Sequence, residues 1–167
     1  MSVIVVTGAA RGMGRACVDR LRDEADHLVA VDIAAPDIEG TIGFACDVSD
    51  SAAVARLVDE VRALGPFRSL VHAAGISPTM ADARRVFEVD LVGTQLLLDA
   101  FEPLVVAGSS TVCFASSAAY QIVLLGPDPE LDAFVEDPRA PGIVDRAAGR
   151  FDDSGIAYAW QSMAIRW

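Results

Sequence analysis

Chemistry in this 167-residue sequence starts at a turn, Thr7-Gly8-Ala9-Ala10-Arg11-Gly12-Met13-Gly14, which follows directly on an apolar run. Glycines at this spacing let the backbone turn tightly and come close to another group. A helix opening at the turn presents free N–H groups and the positive end of its dipole, so the group it suits is a phosphate or pyrophosphate. Gly8, Arg11, Gly12, Met13 and Gly14 are the candidate contacts. A glycine-rich turn can also serve chain reversal alone, but a second feature supports the anion reading. Asp32 ends the next apolar run, where a carboxylate can accept hydrogen bonds from the ribose hydroxyls of a dinucleotide. The plainer role for Asp32 is to cap a loop; binding of NAD accounts for the glycines and the acid together. The 2′-phosphate of NADP would meet the Asp32 charge, so NAD is favoured over NADP. Arg11 weighs the other way, since its guanidinium can pair with that phosphate, with the pyrophosphate, or with solvent.

A scaffold must place the turn and the acid side by side. Ser2–Thr7 is a short, continuous apolar run rich in β-branched residues, the pattern of a strand buried on both faces of a parallel sheet; Leu28–Asp32 reads as a second buried strand, and Thr41–Cys46, Ser69–Ala73 and Thr111–Ala115 as three more strands. Between them lie helical spacings: Met13, Cys17 and Leu21; then Val54, Leu57, Val58, Val61 and Leu64, with Ser51 as N-cap; then one long helix from Ala83 to Phe101. Strands alternating with helices predict βαβ units, right-handed crossovers and an α/β fold of the Rossmann type, a doubly wound parallel sheet between two helical layers. The chain reads as a single dinucleotide-binding domain over residues 1–167, with an insertion at about 121–155. That insertion is rich in proline and acid. It predicts one short helix opening at Asp128-Pro129 with Leu131, Phe134 and Val135 on its apolar side, and another from Gly142 to Phe151 bearing Ile143 and Val144. Such apolar sides need cover, over a substrate cleft or in a contact between subunits, which leaves a homo-oligomer open.

Composition excludes several classes. The net charge is −11 and every one of the 13 basic residues is a scattered arginine, so no nucleic-acid partner and no anionic membrane surface is expected. No apolar run reaches the ~20 residues of a membrane span. Cys17, Cys46 and Cys113 are far apart and lack metal-ligand spacing, which predicts reduced thiols, no metal site and a cytoplasmic protein.

With these motifs in place, the chain resembles the short-chain dehydrogenase/reductase family. Thr7 to Gly14 looks like its Thr-Gly-x-x-x-Gly-x-Gly signature. Cys46-Asp47-Val48 is similar to its Asp-Val segment, which implies that Asp47 and Val48 lie at the adenine. His72-Ala73-Ala74-Gly75 resembles the Asn-Asn-Ala-Gly end of strand four with both asparagines replaced, and it adds Ala74 and Gly75 to the cofactor set. Val89-Asp90-Leu91-Val92-Gly93 looks like Val-Asn-Leu-x-Gly, with Asp90 in the place of the Asn of a proton relay. Phe114-Ala115-Ser116 resembles the strand end that bears the catalytic serine, with Ser117 a close rival. Ala157 to Ser162 looks like the Tyr-x-x-x-Lys helix, with Tyr158 at the tyrosine and Ser162 at the lysine.

The resemblance implies an NAD-dependent interconversion of a secondary alcohol and a ketone. Ser116 holds the reacting oxygen and Tyr158 exchanges its proton. The long gap from Ser116 to Tyr158 is similar to the bacterial 3α-hydroxysteroid dehydrogenase/carbonyl reductase branch, which implies a hydroxysteroid or carbonyl substrate. Two departures stand against activity. A free phenol titrates near ~10 and needs a neighbouring cation to act as a base at neutral pH, yet the sequence has no lysine, and Arg166 lies about two helical turns beyond Tyr158. Family members also run on through further strands beyond the Tyr helix, so the chain reads as C-terminally truncated. The alternative is a catalytically inactive NAD-binding protein or partner subunit. A sugar-nucleotide epimerase fits less well, because its glycine spacing differs.

Overall fold

Burial on both faces selects the central strands, while the two edge strands keep exposed residues. In the computed structural model, which describes residues 2–125, 129, 140–151 and 153–165, β1 (Val3–Thr7), β2 (His27–Asp32), β3 (Ile42–Ala45), β4 (Phe67–His72) and β5 (Ser110–Cys113) form one sheet. Their order is β3-β2-β1-β4-β5 and every pairing is parallel. Central β1 is buried along its whole length, as its unbroken apolar run requires. The strand bounds shift slightly from the sequence expectation. Ala73 lies past the end of β4, and Phe114 and Ala115 lie past the end of β5, although Phe114 N–H still donates to His72 O at 3.1 Å.

Helix α1 (Gly12–Leu21) follows β1, and α2 (Ser51–Leu64) follows β3. The face of α2 that carries Val54, Leu57, Val58 and Val61 is buried, which is the predicted stripe. Its N-cap is Asp50 rather than Ser51: the Asp50 carboxylate accepts from Ala52 N–H at 2.9 Å, and Ser51 is already helical. Phe67 packs on Phe101 with ring centroids 5.4 Å apart, and Phe101, Leu57, Leu70 and Leu97 are among the largest fully buried side chains. Burial pushes the Cys46 thiol up to about 11, and all three cysteines are free.

The chain divides into two compact units, Met1–Ala74 with Leu96–Phe114, and Gly75–Gln95 with Ala115–Trp167. The first holds the sheet. The second holds α3 (Ala83–Val86), a π-helical segment (Phe87–Val92), the start of α4 (Gly93–Phe101), α5 (Ala119–Leu125), α6 (Ile143–Arg150) and α7 (Ser154–Ala164). The expected single helix from Ala83 to Phe101 is therefore interrupted by a wide turn around Asp90. The second unit has its own core of Phe87, Leu91, Ile122, Ile143 and Trp160, in which Phe151 stacks on both Phe87 and Trp160. Ile143 is buried there, with Val144 packed against it, so the second helix of the insertion does cover its apolar side. The insertion helix expected around Leu131, Phe134 and Val135 lies outside the described residues, as does Arg166. Helix α5 was not anticipated. No described helix is long and apolar enough to cross a membrane.

Candidate functional site

Parallel pairing brings the C-terminal ends of β1, β2 and β4 to one edge of the first unit. The strand order reverses between β1 and β4, so the crevice beyond Thr7 is where a doubly wound sheet admits a ligand. Gly8, next in the chain, has φ +67°, and a Cβ there would lie 2.7 Å from both Ala73 O and Ala74 N. Gly14, on the first turn of α1, is packed so closely that a Cβ would overlap Gly8 O. Gly12 also has positive φ (+59°), but its surroundings are open. The first and third glycines are thus required by close approach and the second by backbone conformation. Arg11 is the exposed N-cap of α1 and makes no side-chain cap bond, while Met13 is 60% exposed at the mouth of the turn.

Asp32 is bound into the same loop. Its Oδ2 accepts from Ala10 N–H at 2.9 Å and its Oδ1 from Ile33 N–H at 2.8 Å. Each carboxylate oxygen keeps a further lone pair, so the acid that orders the glycine turn can still accept from a ribose diol. Register pairs Asp32 with Ala45 on β3, which sets Asp47 and Val48 just beyond the neighbouring strand end. Asp47 Oδ1 accepts from Ser49 N–H at 2.9 Å and from Ser49 Oγ at 2.6 Å; Val48 is buried. Thr7 and His72, paired across β1 and β4, are also joined by their side chains, with 2.7 Å between Thr7 Oγ1 and His72 Nδ1. Burial lowers His72 to about 4, so the ring is neutral at neutral pH. Ala74 N–H donates to the same Thr7 hydroxyl at 3.2 Å. These residues form a tight backbone cradle with an acid at its side, suited to an adenosine diphosphate moiety.

The second unit contains Gly75, Asp90, Ser116, Tyr158 and Ser162. Ser116 is half-buried in the turn that leads into α5, where its Oγ accepts from Ala118 N–H at 3.1 Å. Tyr158 is half-buried on α7, a helix capped by Asp153 through Gly155 N–H (2.7 Å) and Ile156 N–H (3.1 Å). Helices α5 and α7 pack together. Ser162, one turn beyond Tyr158, is 1% exposed and accepts from Gln161 Nε2 at 2.9 Å, so a small polar group fills a closed position. Asp90 is 4% exposed on the π-helical segment. Its Oδ1 accepts from Ile76 N–H at 2.9 Å, its backbone carbonyl accepts from Thr94 Oγ1 at 2.6 Å, and its Oδ2 has no partner among the described residues. Burial pushes Asp90 up to about 7 against the opposing pull of the Ile76 N–H. Among the described residues no cluster of His, Cys, Asp or Glu could hold a metal ion.

Sequence reasoning placed the glycines and Asp32 but not the Thr7–His72 bond, which joins residues far apart in the chain. Nor did it find the π-helical turn, for which Asp90 in an apolar stretch was the one available sign.

Residues 8–125 match a family model described as enoyl-(acyl carrier protein) reductase. The chain is 33% identical to an uncharacterized short-chain type dehydrogenase/reductase of Sinorhizobium fredii, covering 99% of this chain and 30% of that protein. It is 32% identical to D-threitol dehydrogenase of Mycolicibacterium smegmatis, covering 70% of this chain and 53% of that one. Among solved structures, the 3α-hydroxysteroid dehydrogenase from Pseudomonas sp. B-0831, complexed with NADH, superposes with a TM-score of 0.74 at 25% identity, over 98% of this chain and 62% of that chain. The chain thus spans between about a third and two thirds of the length of these proteins. A family match over most of the sequence, joined to the β3-β2-β1-β4-β5 sheet and the glycine turn at its reversal point, places the chain in the short-chain dehydrogenase/reductase family.

Proposed function

We propose that the chain binds NAD(H) and is built for the interconversion of a secondary alcohol and a ketone, with a hydroxysteroid or similar carbonyl compound as the substrate class. One observation carries the cofactor reading: the Asp32 carboxylate is bonded to the Ala10 N–H of the glycine turn, beside a Gly8 that admits no Cβ. In this reading Gly8, Arg11, Gly12, Met13 and Gly14 hold the pyrophosphate. Asp32 holds the adenosine ribose, Asp47 and Val48 lie at the adenine, and Ala74 and Gly75 complete the cofactor-binding set. The chemistry supplied by a bound nicotinamide is hydride transfer. Tyr158 moves the proton of the reacting oxygen and Ser116 orients that oxygen. The likeness to a hydroxysteroid dehydrogenase complexed with NADH supports both cofactor and substrate class. Titration with NADH and NADPH, followed by protein fluorescence, should give the tighter binding to NADH; equal or reversed affinities defeat the Asp32 argument.

A second reading, a dinucleotide-binding protein without turnover, has its own observation. Ser162 is closed in and bonded to Gln161 where the family resemblance expects a lysine. Steady-state assays with hydroxysteroids and simple ketones, read at the NADH absorbance, separate the two. Very slow or absent turnover is expected of this chain. Robust turnover that disappears in Tyr158→Phe would show that the lysine is dispensable.

A further inference from the structure

At the reversal point of the sheet, two buried side chains meet whose only covalent link is the long chain between β1 and β4. Thr7 is fully buried and His72 nearly so. The Thr7 hydroxyl has one proton to give and two lone pairs to receive with. Ala74 N–H occupies one lone pair at 3.2 Å, and the hydroxyl proton has an acceptor in His72 Nδ1 at 2.7 Å when the imidazole is neutral with its proton on Nε2. That arrangement satisfies each of these polar atoms, which a buried site demands. It also fixes the backbone just after β4. Ala73 O and Ala74 N are the atoms that a Cβ on Gly8 would strike at 2.7 Å, so the hydroxyl that receives Ala74 N–H sets how closely the β4 exit approaches the glycine turn.

We propose that His72 is a positioning residue for the dinucleotide: acting through Thr7 Oγ1, it holds the Ala73–Ala74 backbone against Gly8 and so sets the shape of the cradle that receives the cofactor. The inference rests on the dinucleotide reading of this turn, and it assigns His72 no contact with the reacting atoms. What the position requires is a hydrogen-bond acceptor of the right reach. The Oδ1 of an asparagine stands as many bonds from Cα as Nδ1 does and can take the same proton. A leucine has comparable volume and no acceptor, and leaves the buried Thr7 hydroxyl proton unpaired.

The test uses the full chain in four forms: wild type, His72→Asn, His72→Leu and Thr7→Val. NADH affinity is read by fluorescence titration at pH 7.5, and each variant's thermal midpoint is measured alongside. His72→Leu and Thr7→Val should bind NADH about tenfold more weakly, the effect of one unmade buried bond coupled to the site, while His72→Asn stays within about threefold of wild type. Rescue by asparagine separates positioning from a bulk packing role, for which leucine would be the better replacement. Leucine and valine variants that bind as tightly as wild type, or an asparagine variant as weak as the leucine one, overturn the proposal while leaving the dinucleotide reading intact. Should His72→Leu not fold, the comparison of His72→Asn with Thr7→Val decides in the same way. A wild-type protein with no affinity for NADH or NADPH removes the dinucleotide reading itself, and the positioning role with it.

Discussion

Replacing Asp90 with Asn should remove from the protein's stability a contribution that is lost as the pH rises toward neutrality. The carboxyl is 4% exposed and is raised from its ordinary 3.8 to about 7 by burial, with only the Ile76 N–H stabilising its charge. A carboxyl raised on folding binds its proton more tightly in the folded state. Its contribution is therefore fully present below pH 3.8, declines as the pH rises through the interval up to about 7, and is gone above that. A shift of this size, at about 1.4 kcal/mol per pH unit, amounts to about 4 kcal/mol between the two limits. About 2.5 kcal/mol of it falls between pH 5 and pH 8. Asparagine keeps the acceptor for Ile76 N–H and cannot ionise. Its amide would stand where Oδ2 now lacks a described partner, a penalty of about 1–3 kcal/mol that is the same at every pH. The diagnostic quantity is therefore the change in the difference between variant and wild type, not its value at one pH. Urea unfolding of both proteins at pH 5 and pH 8 should show Asp90→Asn gaining on wild type by about 2.5 kcal/mol at the higher pH. Parallel curves, with the same difference at both values, would refute a buried carboxyl that holds its proton to neutrality.

His72 should act in the opposite direction: lowered from 6.5 to about 4, it takes up its proton in the unfolded chain first, so stability falls by about 3 kcal/mol as the pH drops from 6.5 to 4. His72→Asn should abolish that acid limb in the same unfolding series. Asp32→Ala removes both the candidate ribose acceptor and the bond to Ala10 N–H, and should narrow the NADH over NADPH preference toward unity in a fluorescence titration. Gly14→Ala forces a methyl into Gly8 O; it should lower stability by about 2–4 kcal/mol and abolish cofactor binding, measured by denaturant unfolding and the same titration.

Much of the first unit was legible in the sequence because its signals are local. A strand buried on both faces must be apolar throughout, so Val3–Thr7 and Leu28–Asp32 announce themselves. A turn that needs positive φ must spend glycines, so Gly8 and Gly12 do as well. The α2 stripe is equally local, and the error at its start, Ser51 for Asp50, arose because adjacent Asp and Ser are both good caps and only the bond to Ala52 N–H separates them. The second unit was less legible. Periodicity around Val89 and Leu91 fits an unbroken helix, and the one mark of the π-helical turn in residue type is an acid, Asp90, in an apolar stretch. At that turn the Asp90 carboxylate accepts from Ile76 N–H and its backbone carbonyl from Thr94 Oγ1, contacts that residue spacing alone does not announce.

The sequence by itself determined the alternation of strands and helices, the glycine turn, the acid at the end of β2 and the absence of any lysine near Tyr158, all properties of residue type and short-range order. Tertiary structure alone decided which groups lost water and which met. It left Asp90 with a buried carboxyl, closed Ser162 in against Gln161, and brought Thr7 to His72 across two strands that the chain separates by four other elements. Protonation states and backbone approach depend on dielectric surroundings and on contacts between distant residues. Those exist only once the chain has packed.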